Sequence, residues 1–125
     1  MKVRTILTLG GANAVLAIAA GAFGAHGLSA KLPPNLLNAF ETGAQYHFYH
    51  ALGLIALGLT IHSLGRSRTL TASAWCMLIG IVLFSGSLYA LALTGIRALG
   101  AITPIGGTLW IVAWCLYVVG CRKTP

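Results

Sequence analysis

The side chains able to do chemistry in this chain are few, and most fall in one stretch. Of four histidines and one carboxylate in 125 residues, three histidines and the acid lie within residues 26–50, as His26, Glu41, His47 and His50. Gln45 and Tyr46 stand among them, and Arg97 lies further along. His47 and His50 are three apart, a spacing that sets two side chains on neighbouring rows of one helix face. Two or three imidazoles with a carboxylate can bind Zn²⁺ or Cu²⁺, so His26, His47 and His50 are the candidate metal ligands. His26 and one of the other two could also grip a haem iron from opposite sides. A His/Glu group inside a membrane can relay protons. The plainer reading is that these groups hydrogen-bond one another and the loop backbone, locking helices together. An i, i+3 histidine pair is a weak signal by itself, and the lock is the reading carried forward.

Other chemistry is excluded or left without support. With Glu41 the only acid, paired-carboxylate catalysis is impossible within one chain. No phosphate-binding glycine loop, GxSxG or HExxH occurs. Cys76, Cys115 and Cys121 form no CxxC or Cys/His spacing and read as small apolar residues. An enzyme is not expected, and no cofactor is called for. Asn13 falls in the middle of an apolar run, where its amide suits an interhelical hydrogen bond. Ser85, Ser87, Tyr89 and Thr94 form a hydroxyl-rich segment, explained by small serines bonding helix backbone. His62, near Arg66, reads as an interfacial residue.

The elements that position these groups follow from composition. The chain is 58% hydrophobic and 7% charged, with a mean hydropathy of +0.88, whereas soluble domains carry about 25% charged residues. Charged residues leave four charge-free windows, Arg4 to Lys31, Glu41 to Arg66, Arg68 to Arg97 and Arg97 to Arg122, of 26, 24, 28 and 24 residues. A spanning helix needs about 20. The expected fold is therefore all-α: one membrane domain, residues 1–125, an integral four-helix bundle with helices near 5–25, 44–61, 70–93 and 104–120. Residues 1–22 also resemble a secretory signal, but the apolar run continues through Ala25, so an uncleaved first helix is expected. Pro33-Pro34 and the 3–4 spacing of Leu36, Leu37 and Phe40 allow two readings of the first outer loop. One is a short interfacial helix; the other is an extension of helix two bent near Gly43. Thr103 and Pro104 read as N-cap and first turn of helix four. The segment from Arg97 to Ile102 is expected to dip toward membrane depth.

Charge gives orientation. Lys2, Arg4, Arg66, Arg68, Arg122 and Lys123 fall on one side of a four-pass chain, and only Lys31 and Arg97 on the other. Six against two predicts both termini inside. The net charge of +7 is then a set of membrane flanks, and no nucleic acid is expected as a partner. His26, Glu41, Gln45, Tyr46, His47, His50 and Arg97 converge on the outer leaflet in this arrangement. Small residues recur at heptad spacing: Ala44, Ala51 and Gly58; Ser73, Gly80 and Ser87; Gly106, Ala113 and Gly120. Gly10, Ala14, Ala17, Gly21 and Gly24 enrich helix one. Such residues let membrane helices approach closely.

Four stretches then carry a resemblance along the whole chain. They are Gly21-Ala22-Phe23-Gly24-Ala25-His26-Gly27; Phe40-Glu41-Thr42-Gly43 with Tyr46-His47 and His50-Ala51-Leu52; Phe84-Ser85-Gly86-Ser87-Leu88-Tyr89; and Ile102-Thr103-Pro104-Ile105-Gly106-Gly107. In this order they resemble the small inner-membrane family known as domain of unknown function 423, to which transmembrane protein 256 also belongs. Ala113 departs from the glycine expected before Trp114. The resemblance implies a four-pass protein of the bacterial cytoplasmic (inner) membrane. It supplies no reaction and no catalytic or binding residues. The expected function is a non-enzymatic accessory or assembly component, with the lipid bilayer, a second copy or another membrane protein as partners. A small oligomeric transporter or proton/ion conductor is the alternative, and a metal- or haem-binding protein the third.

Overall fold

In the computed structural model, which describes residues 1–123, four helices account for nearly all of the chain. Helix α1 runs Val3–Phe23 and is prolonged by a π-helical turn, Gly24–Leu28. Helix α2 runs Pro34–Leu64. Helix α3 spans Arg68–Thr94, α-helical to Gly80, π-helical over Ile81–Ser85 and α-helical again from Gly86. A 3-10 turn, Arg97–Ala101, leads into α4, Thr103–Lys123.

Local chemistry sets these boundaries. Pro34 opens α2 from an extended Pro33, where a missing N–H costs nothing. Gly65 ends α2 at φ 95°, a backbone angle that favours glycine. The Ser67 side chain accepts from the Leu70 N–H at 3.1 Å and caps α3. Gly95 stops α3 in the left-handed region at φ 72°, its N–H bonded back to the Leu91 carbonyl.

The helix bounds depart furthest from the sequence expectation at α2 and α4. Helix α2 starts at Pro34 rather than near 44 and passes through Gly43 without a break, so no separate interfacial helix exists among the described residues. Gly43 is a contact glycine: a Cβ there would meet the Tyr89 ring at 3.1 Å and Leu88 at 3.2 Å. Helix α4 extends from 103 to 123, longer than the expected 104–120. The backbone ahead of it is a 3-10 turn. Thr103 is itself helical, and its hydroxyl bonds to Ser87 across the α3–α4 contact at 2.6 Å.

Each chain-adjacent pair of helices runs antiparallel. Gly10 faces Ala51 and Ile55 while Gly24 faces Phe40 (α1 on α2), Ser85 reaches Gly43 while Gly53 faces Met77 (α2 on α3), and Gly120 faces Leu70 while Gly106 faces Phe84 (α3 on α4). The three heptad sets of small residues are buried throughout, as are Gly10, Ala17 and Gly24 on α1. Burial every seven residues is the seam of helices packed at a shallow left-handed crossing. The main core joins Ile6, Leu54, Leu57, Ile61, Leu70, Ala74, Met77, Ile81, Trp110 and Ala113.

Apolar surface points outward. Val15, Leu16, Ile18, Val82 and Ile111 are each more than 59% exposed, as in a bundle solvated by hydrocarbon. By length and composition Val3–Leu28, Arg68–Thr94 and Arg97–Lys123 are apolar enough to cross a membrane. Helix α2 is not among these three. At 31 residues it has ample length, but His47, His50 and His62 dilute its hydropathy.

Candidate functional site

The two histidines of α2 are both buried, 5% and 6% exposed, yet they face different partners. His47 points between α1 and α3. Its Nε2 lies 2.9 Å from Asn13 Oδ1 and its Nδ1 lies 2.9 Å from the Tyr89 hydroxyl. The Asn13 Nδ2 donates to the Leu9 carbonyl at 2.8 Å, which leaves Oδ1 to face the imidazole. That oxygen can only accept, so His47 Nε2 carries the proton and donates. The Tyr89 hydroxyl then donates to Nδ1. One chain of hydrogen bonds thus runs Tyr89, His47, Asn13, Leu9, stitching three helices.

His50, one turn further, points to α4. The Trp114 indole, which can only donate, gives its N–H to His50 Nε2 at 3.2 Å. The proton of His50 is therefore on Nδ1, which donates to the Tyr46 carbonyl at 2.8 Å. The ring lies flat on Trp110, centroids 3.7 Å apart and planes at 1°. Trp110 donates in turn to the Met77 carbonyl at 3.1 Å, just before the π segment, where the backbone ladder shifts register. Tyr46, Phe84 and Trp110 form an aromatic layer around this histidine.

Further down the bundle the hydroxyls do the same work. Ser85 donates to the Gly43 carbonyl at 2.7 Å and Ser73 to the Ala113 carbonyl at 2.6 Å. The Thr60 and Tyr117 hydroxyls meet at 3.0 Å. Hydrogen bonds therefore join α1 to α2, α2 to α3, α2 to α4 and α3 to α4. Among the described residues no buried side-chain nitrogen or oxygen lacks a partner.

The rest of the sequence-derived cluster does not converge with the histidines. His26, Glu41 and Arg97 are exposed and make no hydrogen bond or ion pair among the described residues. Gln45 is exposed and bonds Tyr49 on its own helix. Tyr46 contributes its carbonyl and its ring rather than its hydroxyl. Among the described residues no three His, Cys, Asp or Glu side chains stand where they could hold a metal ion. His26, His47 and His50 thus form no ligand set: all four ring nitrogens of the two buried histidines are already bonded within the protein. The same occupancy leaves neither helix-two histidine free for a haem iron.

Sequence reasoning missed the roles of Tyr89, Trp110 and Trp114. Tyr89 stands in the hydroxyl-rich stretch of α3, explained from sequence by serines bonding helix backbone. A signal was available for the last two: Trp110 and Trp114 are four apart and so share a face, the same face that meets His50. Near the site lies a cleft of about 460 Å³ between α1 and α3. Leu16, Ala20 and Val82 line its walls, with His47 and Tyr89 beneath.

Comparison with known proteins places the chain among membrane proteins of unknown function. Residues 20–107 match the family model described as "Protein of unknown function (DUF423)". The UPF0382 membrane protein YwdK of Bacillus subtilis is 48% identical over 120 residues, covering 96% of this chain and 98% of that protein. A UPF0382 membrane protein of Staphylococcus saprophyticus is also 48% identical over 120 residues, with the same coverage. One from Staphylococcus epidermidis is 46% identical, over 96% of this chain and 97% of its own length. No solved structure gives a significant match.

Proposed function

The chain belongs to the DUF423 family of membrane proteins, and from that premise we propose that it is a non-enzymatic, four-pass component of the bacterial cytoplasmic membrane, with both termini inside, working as an accessory or assembly partner through its outer surfaces. One observation carries the reading. Every buried polar side chain among the described residues already has a hydrogen-bond partner within the bundle, which supports a structural role for these groups. Intramembrane histidines are functional candidates by default. Here the bonds of His47 and His50 make them helix ties, each bond worth about 0.6 kcal/mol on average in a membrane.

The four-pass reading takes α2 as the fourth span despite its lower hydropathy. Its two central histidines face inward, and helices on three sides of it cover them, so the bilayer meets the apolar remainder. Termini on one side follow, with the six-to-two charge bias supporting the inside. The one carboxylate, Glu41, is exposed and has no base or nucleophile arranged against it, which favours a protein without catalysis.

The test is reconstitution of the purified chain into liposomes carrying a pH-sensitive dye, under an imposed pH gradient and membrane potential. The proposal expects decay no faster than in protein-free vesicles. A flux that falls in His47→Ala, with the helical fold retained, would replace it with the conductor reading. In cells, a photocrosslinker at exposed positions Val15, Val82 and Ile111 should give a discrete protein adduct on one face. Labelling of lipid alone on every face would argue against an assembly role.

A further inference from the structure

Among the described residues the cationic end of the bundle has no counter-charge of its own. Lys2, Arg4, Arg66, Arg68, Arg122 and Lys123 gather where α1 begins, α2 turns into α3 and α4 ends, and all are exposed. The only acid, Glu41, lies toward the opposite end of α2. No ion pair forms among the described residues, so these cations are open to anions from outside the chain.

At one place this end is shaped as well as charged. A cleft of about 520 Å³ opens beside the α2–α3 turn, lined by Arg66, Ser67, Arg68, Thr71, Ala72 and Trp75. Its chemistry is ordered along the helix axis. Arg66 and Arg68 line it at the level of the turn, where the helix begins. Thr71 follows, its hydroxyl free of any hydrogen bond among the described residues, and then come Ala72 and the indole of Trp75, which is 48% exposed. From Arg68 to Trp75 is two helical turns, a descent of about 10 Å. A phospholipid presents the same order along the membrane normal: phosphate, glycerol ester, acyl chain. Guanidinium forks match phosphate oxygens, a hydroxyl can donate to an ester carbonyl, and an indole with an apolar body suits the upper chain.

We propose that this cleft is a binding site for an anionic phospholipid, its phosphate held by Arg66 and Arg68, its ester region at Thr71 and its chain along Ala72 and Trp75. The site is independent of whatever the protein assembles with, and it does not depend on which leaflet the cationic end occupies.

The experiment uses the full chain in phosphatidylcholine nanodiscs containing a small fraction of chain-brominated phosphatidylglycerol or chain-brominated phosphatidylcholine, reading tryptophan quenching. The expected result is stronger quenching by the brominated anionic lipid, with the excess lost in Arg66→Gln/Arg68→Gln and in Trp75→Phe. It should persist in Arg122→Gln/Lys123→Gln, which removes equal charge elsewhere on the same end. In wild type the excess should also weaken as salt rises, a measurement independent of any variant's folding. No excess in wild type, an excess insensitive to salt, or equal loss in the Arg122/Lys123 variant would overturn the site. Abolition of the excess by millimolar inorganic phosphate would reassign it to a free anion and overturn the lipid.

Discussion

The imidazole of His50 lies flat on the indole of Trp110, 3.7 Å between centroids and 1° between planes, while Trp114 binds its edge. This pairing fixes α2 to α4 at the level where His47, one turn earlier, fixes α2 to α1 and α3. The two histidines sit one turn apart on the central helix, and their partners dictate opposite tautomers.

Those tautomers are the first prediction. Nitrogen-15 NMR of histidine-labelled protein in bicelles should show His47 protonated on Nε2 and His50 on Nδ1. The two signals are assigned by His47→Gln and His50→Gln. Identical tautomers would contradict the hydrogen-bond directions set by Asn13 and Trp114.

The two tryptophans should differ in weight. Trp110 is 4% exposed, stacks on His50 and donates to the Met77 carbonyl, so Trp110→Ala should cost about 3–5 kcal/mol, as large-to-small changes in packed cores do. Trp114→Phe keeps most of its bulk and removes one hydrogen bond, a loss of about 1 kcal/mol. Denaturant titration in mild detergent reads both; a Trp114 effect equal to that of Trp110 would refute the ranking.

Glycines separate by what surrounds them. A methyl at Gly106 would press on the backbone of the π segment, with Phe84 Cβ at 2.8 Å and the Leu83 carbonyl carbon at 2.9 Å. Gly106→Ala should therefore destabilise by about 1–3 kcal/mol, the usual cost of overpacking. Gly11 and Gly21 have nothing within 4 Å, and alanine there should be neutral or stabilising by about 0.5–1 kcal/mol. Thermal unfolding of the three single variants decides it, and a neutral Gly106→Ala would count against the close α3–α4 approach.

Topology is a separate test. Reporter fusions at the two termini, or membrane-impermeant labelling of cysteines introduced there in a cysteine-free background, should place both ends inside. Termini on opposite sides would mean that α2 does not cross, leaving the three most apolar helices as the spans.

Much of this fold was legible in the sequence because membrane helices announce themselves by charge-free length, and four windows gave four helices. The heptad sets of Ala44, Ser73 and Gly106 marked the buried seam on α2, α3 and α4, since close packing in hydrocarbon needs small residues at that period. Asn13 was legible as an interhelical tie because an amide at mid-membrane has little else to do. The start of α2 was partly legible: Pro34 suits a first helical turn and an extension of helix two was one of two readings, but Gly43 read as a bend. Only tertiary contact shows that Gly43 makes room for Tyr89 instead. The cluster was half legible. Adjacency in sequence grouped His26 and Glu41 with His47 and His50, but rotation along α2 turns the two histidines inward and leaves Glu41 outside. The π segment at Ile81–Ser85 left no mark in residue type, since its register shift is set by packing against Trp110 and Gly106.

The central claim is that the buried polar groups hold helices together, and the Asn13–His47 contact tests it most directly. The unfolding free energy of wild type, Asn13→Ala, His47→Ala and the double variant in bicelles completes a double-mutant cycle. The account predicts that each single change destabilises, with a favourable coupling of about 0.6–1.7 kcal/mol, the range for hydrogen bonds between membrane helices. Unchanged stability in both single variants, with additive effects in the double, would contradict it and return these residues to the search for a substrate or an ion.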